Sequence, residues 1–229
     1  MSDTDRIAKK SLVISLVLWL GQLAGIALLV AALWQMGAAT WGERVWLAGA
    51  LVTFVIRVPF AAKVRRNTIV EARKDTMERA TLTAMFVTMA IMPTLSLATP
   101  VLDFAAYTLP GWAWIAGAVL QLPYLWLFWR SHADLGRNWS PTLEVRQDHN
   151  LVTGGIYQHV RHPMYSAIWL GVVAQPLLIQ NWIAGVPVLL AFLVMYVTRV
   201  PKEEALMRAQ FGDAYDTYAS RTGRLLPRL

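Results

Sequence analysis

The stretch YQHVRHPMY, residues 157–165, brings together side chains that could bind a small charged molecule. Arg161 supplies a guanidinium group and His162 an imidazole ring, while Tyr157 and Tyr165 supply hydroxyl groups and ring faces. Guanidinium and imidazolium groups donate charge-assisted hydrogen bonds to carboxylates and phosphates. The stretch therefore predicts a site for an anion.

A helix is expected to begin at Pro163, directly after His162. Proline lacks a backbone N–H and has its φ angle fixed near the helical value, so it suits the first helical position. The residue before a proline is pushed away from helical angles, which keeps His162 outside the helix. The first turn then presents unpaired N–H groups and the positive end of the helix dipole to the predicted anion site.

Two adjacent carboxylates, Glu203 and Glu204, follow the long apolar run after this motif, and Arg199 precedes Glu203 by about one helical turn. We expect these three residues to open an amphipathic helix. Neighbouring helical residues point about 100° apart, so one glutamate is expected to face a pocket and the other to face solvent. Carboxylates beside a basic cluster suit a small anionic cofactor that also carries hydroxyl or amine groups.

Other interpretations of these residues stay open. His159 and His162 beside the glutamates suggest a zinc site, although their spacing differs from the i, i+4 pair of the helical zinc motif and the chain has no cysteine. Arginine, tyrosine and tryptophan also collect at membrane interfaces as anchors, and His159 fits a water-facing position there. Phe211, Tyr215 and Tyr218 recur at helical spacing and predict a packing face. No G-x-G-x-x-G run occurs, which excludes a Rossmann nucleotide site.

The elements that position these residues are expected to be transmembrane helices. Of the 229 residues, 56% are hydrophobic and only 15% are charged, a balance too apolar for an ordinary soluble domain. The 11 tryptophans suit the interfaces of a bilayer. A spanning helix needs about 20 mainly apolar residues. Four segments satisfy that requirement: 11–34, 45–62, 80–101 and 110–129.

A fifth apolar region, 164–198, is too long for one span, and a polar pair at 180–181 and Pro187 interrupt it. This pattern predicts a tight helical hairpin. The predicted fold class is therefore all-α: a polytopic membrane protein with four spans plus a C-terminal hairpin, five to six transmembrane helices in all, and a cytoplasmic cofactor pocket. Residues 1–129 are predicted to form a transmembrane scaffold, and 130–229 a catalytic region that ends in a cytoplasmic helix.

Positive charge predicts the orientation. With the N-terminus in the cytoplasm, all but two of the 21 lysines and arginines fall in cytoplasmic segments, as the positive-inside rule requires. Arg44 lies on the other side, and Arg57 lies in a span near enough to its inner end to snorkel. We predict an integral protein of the inner (cytoplasmic) membrane with both termini cytoplasmic. The net charge of +7 follows from this bias, and no compact basic module predicts nucleic-acid binding.

The order of the motifs resembles a known family. The runs LVTGGIYQHVRHPMYSA (151–167) and EEALMRAQFGDAYDTYASRTGRLLP (203–227) are similar to the isoprenylcysteine carboxyl methyltransferase family, and to the wider set of membrane methyltransferases that includes the phospholipid methyltransferases. The first four spans match only as apolar helices. The resemblance implies an S-adenosyl-L-methionine cofactor in a cytoplasmic pocket under the hairpin, and a lipidic acceptor that enters from the bilayer.

The resemblance, carried over position by position, and the chemistry of methyl transfer together give two sets of candidate site residues. Arg199, Glu203 and Glu204 are the candidate catalytic residues. Arg199 is expected to orient an ionised carboxylate acceptor, whereas an amine acceptor would need a glutamate or His149 as a base; both acceptors stay open. The candidate cofactor-binding residues are His149, Leu151, Val152, Tyr157, Arg161, His162, Tyr165, Glu203 and Glu204.

Two other functions remain as alternatives. Steroid-reductase families share a G-x-Y…P-x-Y hairpin plan and use NADPH, so a membrane reductase is one of them; a non-catalytic membrane interaction protein is the other. The EE-x-L…FG…Y…Y tail favours methyl transfer. The partners expected are membrane lipids and a hydrophobic small-molecule or lipid acceptor, with no nucleic acid and no metal.

Overall fold

The computed structural model is helical, with one short antiparallel sheet in its described part. It describes residues 25–64, 69–72, 76–136, 144–146 and 150–228. The helices are α1 (Gly25–Gly37), α2 (Trp41–Val64), α3 (Thr76–Ala98), α4 (Ala113–Leu135), α5 (Pro163–Leu178), α6 (Pro187–Phe211) and α7 (Asp213–Arg221). The strands are β1 (Ile69–Ala72) and β2 (Glu144–Arg146).

The helical class is confirmed, and the number of membrane spans stays a prediction. In the described part of the chain, α3 is the one helix both long and apolar enough to cross a membrane; α1 and α5 are apolar but shorter. The predicted segment 45–62 lies within α2. The predicted segment 110–129 begins before α4 and ends inside it. Most of the first predicted span, 11–34, lies outside the described residues.

The predicted break in the 164–198 region is confirmed: α5 ends at Leu178 and α6 begins at Pro187. Asn181 organises the turn, because its Oδ1 accepts hydrogen bonds from the backbone of Ile183 and Ala184, each at 2.9 Å. Its Nδ2 donates to the carbonyl of Leu102 at 2.6 Å. The polar pair that interrupts this apolar region thus includes a buried asparagine, Asn181, that stabilises the hairpin turn.

The prediction that Arg199, Glu203 and Glu204 open a new helix is wrong. Helix α6 runs without a break from Pro187 to Phe211 and includes Pro201. A proline inside a helix removes one backbone hydrogen bond, but Val200 beside it is 1% exposed and belongs to the core shared with α3 and α5. This packing keeps the helix continuous through the proline. The carboxylates are therefore fixed in rotation relative to the hairpin.

Helix α5 packs between α4 on one side and α6 on the other, and small residues allow the approach of α4. A Cβ atom at Gly117 of α4 would lie 2.7 Å from the Leu178 side chain, and one at Gly171 of α5 would lie 3.2 Å from the Tyr124 ring. On the other face, Tyr165 and Val172 of α5 join Phe192 of α6 in a buried cluster. The helix that begins at Pro163 is thus held on two sides.

Candidate cofactor site

A cavity of about 660 Å³ lies between the helices and the 150–162 segment. The lining from α2, α3 and α4 is mainly apolar and includes Phe54, Met85 and Phe128. The lining from the 150–162 segment, α5, α6 and α7 carries most of the polar groups. The volume falls within the range of about 300–1,000 Å³ usual for small-molecule sites. Both halves of the predicted domain division thus contribute to one cavity.

The structure brings most of the predicted site residues to this cavity. Among the described residues, Glu204 is the one predicted site residue outside the lining. His149 lies outside the described residues. The predicted residues in the lining are Leu151, Val152, Tyr157, Arg161, His162, Tyr165, Arg199 and Glu203.

The start of α5 faces the cavity. The helix begins at Pro163 as predicted, and the backbone angles of His162 are not helical, at φ −124° and ψ 57°. Pro163 and Met164 both line the cavity. The first N–H groups of a helix have no acceptor within the helix, so this end offers donors and a positive dipole end to a bound anion.

Glu203 links α5 to α6 at the cavity wall. Its Oε1 accepts a hydrogen bond from Tyr165 Oη at 2.8 Å and another from Arg199 Nε at 2.9 Å. Its Oε2 lies 3.7 Å from Nδ1 of His162. The Arg199 guanidinium also lies 3.5 Å from Oε1 of Glu78 on α3. Arg199 is therefore held between two carboxylates while it lines the cavity.

Glu204 does not face solvent, so that expectation is wrong. The residue is 4% exposed and lies behind the cavity wall, because it points away from Glu203 around the helix. Its Oε1 lies 3.2 Å from Nε2 of His162 and 3.5 Å from Nε of Arg161. Arg224 donates to both of its oxygens, at 3.0 and 2.7 Å. A buried carboxylate thus joins the Arg161–His162 pair to the end of the chain.

These contacts determine the charge of Glu204. The hydrogen bond from His162 and, next, that from Arg224 lower the pKa of Glu204 to about 2, against the opposing effect of burial. The carboxylate is ionised at neutral pH. It can therefore hold the His162 ring and the Arg161 guanidinium in fixed orientations at the cavity wall.

A glycine turn positions Tyr157. Gly155 has a φ angle of +62°, in the left-handed region that glycine tolerates. A Cβ atom there would collide with the carboxylate of Asp134, which accepts a hydrogen bond from the backbone of Ile156 at 2.7 Å. Tyr157 is buried, and burial raises the pKa of its hydroxyl. Asp134 thereby connects the motif to the end of α4, a link that the sequence spacing did not indicate.

The tyrosines of α7 pack together and also line the cavity. Tyr215 and Tyr218 lie with ring centroids 6.2 Å apart, edge to face. Tyr218 Oη donates to the carbonyl of Tyr157 at 2.7 Å. Burial raises the pKa of Tyr218 to about 12, so the hydroxyl is neutral at physiological pH. Two of the three residues of the predicted packing face, Tyr215 and Tyr218, thus also line the candidate site.

The two histidines of the motif separate in the structure. His159 is exposed, and its Nε2 lies 2.9 Å from the side-chain nitrogen of Gln158. His162 is half-buried and lines the cavity. Within the described ranges, no three His, Asp or Glu side chains are arranged to hold a metal ion.

Besides Asp134, three residues of the site were missed or misjudged from the sequence. Glu78 has no local signal, because only the packing of α3 against α6 brings it to Arg199. Arg224 stands in the quoted C-terminal run, but nothing there shows that it meets Glu204. Arg57, interpreted as a snorkelling residue, lines the cavity.

A protein-family model matches part of this chain. Residues 112–209, which include α4, the motif and most of α6, match the model of the isoprenylcysteine carboxyl methyltransferase (ICMT) family. This part of the chain is therefore similar to the ICMT family. The resemblance predicted from the two motifs is thus confirmed.

Each match to an individual relative covers only part of that relative's length. Nickel-cobalt-cadmium resistance protein NccN of Alcaligenes xylosoxydans xylosoxydans is 32% identical over 51% of this chain and 53% of its own. Protein-S-isoprenylcysteine O-methyltransferase B of Arabidopsis thaliana is 30% identical over 50% of this chain and 60% of its own. The corresponding enzyme of Schizosaccharomyces pombe is 32% identical over 35% and 34%. The chain thus spans between about a third and three fifths of these relatives.

Proposed function

We propose that the protein is an S-adenosyl-L-methionine-dependent methyltransferase of the membrane that acts on the carboxylate of a hydrophobic acceptor. One observation carries the proposal: polar residues from the ICMT motif, from α6 and from α7 line one cavity whose remaining walls are apolar. The names of two of the relatives, isoprenylcysteine O-methyltransferases, support the same class of acceptor.

The residues present fit the cofactor. Arg161 lines the cavity, and its buried Nε, 3.5 Å from Oε1 of Glu204, makes no hydrogen bond within the described part of the chain. With His162 and the start of α5, it suits the carboxylate of the methionine moiety. Oε2 of Glu203 is left for a hydroxyl or amine, because Oε1 already accepts two hydrogen bonds. Leu151 and Val152 offer apolar contact to adenine.

The protein's contribution to the reaction is mainly positional. The cofactor supplies a methyl group on a sulfonium, which a carboxylate can accept in an in-line displacement without acid–base help. A carboxylate is already ionised at pH 7, so Arg199 serves to bind and orient it rather than to move a proton. Glu203 and Glu78 hold the guanidinium in place for this role.

The apolar part of the cavity suits the hydrophobic tail of the acceptor. Its lining on α2, α3 and α4 is made largely of aromatic and aliphatic side chains. The outer faces of these helices expose further large apolar groups, including Val55 at 68% and Leu122 at 69%. Such surfaces suit contact with lipid. We propose an integral membrane protein with cytoplasmic termini, whose polar residues collect at the cytoplasmic end.

Purified protein in detergent is expected to bind S-adenosylhomocysteine and not NADPH. Isothermal calorimetry with each ligand measures this directly. His162→Ala is expected to weaken binding about tenfold or more, since a lost hydrogen bond to a charged group is worth about 1.5–3 kcal/mol. His159→Ala, an exposed histidine of the same motif, is the matched control and should bind like the wild type.

The alternatives give different results in the same experiment. Binding of NADPH alone would favour a reductase and reject the methyltransferase. Binding of neither ligand would favour a non-catalytic interaction protein. Equal losses of affinity in the two histidine variants would show that the cofactor does not bind at His162.

A further inference from the structure

The end of the chain folds back onto the motif. After α7, the backbone at Gly223 runs beside Val160 in a parallel bridge. The N–H of Arg161 donates to the carbonyl of Gly223 at 2.8 Å, and the N–H of His162 donates to the carbonyl of Arg224 at 3.0 Å. Both residues predicted to bind the cofactor carboxylate thus have their backbone fixed by residues outside the family match.

A side chain completes this attachment next to His162. Ser166 Oγ on α5 donates to the carbonyl of Leu225 at 2.6 Å. The Arg161 guanidinium donates to the carbonyls of Ala219 and Thr222 at the end of α7. We call residues 222–228 the C-terminal clasp. It holds the Arg161 side chain from one direction while Glu204 approaches from another.

Arg224 links the clasp to the imidazole. Its two hydrogen bonds to Glu204 form a bidentate pair, the geometry that fixes a carboxylate most firmly. The same Oε1 lies 3.2 Å from His162 Nε2. Arg224 is not part of the described cavity lining, and its side chain is 49% exposed. Any effect that its side chain has on a ligand must therefore pass through Glu204 to His162 and Arg161.

We propose that Arg224 and the C-terminal clasp position Arg161 and His162 to bind the carboxylate of the cofactor. The proposal rests on the proposed function, because it needs a ligand with a carboxylate at this wall. It assigns Arg224 as a positioning residue. Without the Arg224 side chain, Glu204 loses its bidentate partner, so the acceptor that orients the His162 ring is held less firmly.

The test compares two ligands that differ in the carboxylate. S-Adenosylhomocysteine has it, whereas 5′-methylthioadenosine keeps the adenine and ribose without the amino-acid part. For Arg224→Gln we expect about a tenfold loss of affinity for the first ligand and less than about a twofold change for the second. Arg224→Lys should recover part of the loss, since it keeps the charge without the bidentate geometry.

Two further variants make the test specific. Arg208→Gln removes an arginine that pairs with a carboxylate, Asp216, at 2.8 Å on the exposed surface, and should bind both ligands like the wild type. Ser166→Ala removes a second attachment of the clasp and leaves the Glu204 pair intact. Ser166→Ala should lose affinity for S-adenosylhomocysteine and not for 5′-methylthioadenosine, by a smaller factor than Arg224→Gln. It tests the proposal even if Arg224→Gln fails to fold.

The outcomes separate the two proposals. If the wild type binds neither ligand, the proposed function fails, and this inference fails with it. If the wild type binds both and Arg224→Gln binds both equally well, the positioning role is overturned while the cofactor site stands. An equal loss for both ligands also overturns it, since a general loosening of the fold would not depend on the carboxylate.

Discussion

Replacing Glu204 by alanine is expected to lower the unfolding temperature by on the order of 10 °C, the largest effect on stability that we predict. The substitution removes the carboxylate shared by His162, Arg161 and Arg224 and leaves these groups with no common counter-charge. Removing one partner of a buried ion pair costs about 3–5 kcal/mol. Thermal unfolding in detergent, followed by circular dichroism, measures the shift.

Asp216→Ala is the matched control, because Asp216 pairs with Arg208 at 2.8 Å but lies on the exposed surface. Its unfolding temperature should stay close to that of the wild type. Equal shifts in the two variants would show that the buried cluster does not stabilise the fold.

The effect of Glu204→Ala should also depend on pH. The pKa of Glu204 is lowered to about 2 in the folded protein, from an ordinary value of 4.5. Its stabilising contribution is therefore complete above the ordinary value and declines as the pH falls from about 4.5 towards 2. The difference in unfolding temperature between wild type and variant should be smaller at low pH than at pH 7.

Replacing Arg199 by lysine is expected to reduce methyl transfer about 10²–10³-fold, with affinity for S-adenosylhomocysteine within about twofold of the wild type. Lysine keeps the positive charge between Glu78 and Glu203, so the fold is retained. It lacks the planar fork that can hold a carboxylate in two hydrogen bonds. The acceptor is then held loosely at the reacting centre, and the loss falls on transfer rather than on cofactor binding.

Steady-state kinetics and calorimetry on the same preparation separate these effects. Arg208→Lys, at an exposed position of the same helix, is the control and should keep wild-type transfer. If Arg199→Lys transfers methyl groups at a rate within about threefold of the wild type, Arg199 does not orient the acceptor. A matching loss of cofactor affinity would place Arg199 on the cofactor instead.

The parts of the site that depend on local sequence could be predicted. Pro163 determines where α5 begins, because proline suits the first helical position and restricts the residue before it. The motif residues reach one cavity because they lie close to that helix start. The polar pair at 180–181 and Pro187 marked the hairpin turn correctly.

The parts that depend on packing between distant segments could not be predicted. Arg199, Glu203 and Glu204 were expected to open a new helix, but Val200 is held in the core and α6 continues through Pro201. That continuity turns Glu204 inward, where Arg224 from the end of the chain covers it. Glu78 meets Arg199 only because α3 packs on α6. The spacing of these residues along the chain gives no indication of these contacts.

Transfer of a labelled methyl group tests the central claim most directly. Purified protein in detergent is given S-adenosylmethionine with a tritiated methyl group and a farnesylated N-acetylcysteine as the carboxylate acceptor. We expect label in the acceptor as a methyl ester, which alkali releases as methanol, and no label in the matching amide that lacks the carboxylate. Label that resists alkali, or equal label in both compounds, would contradict methyl transfer to a carboxylate.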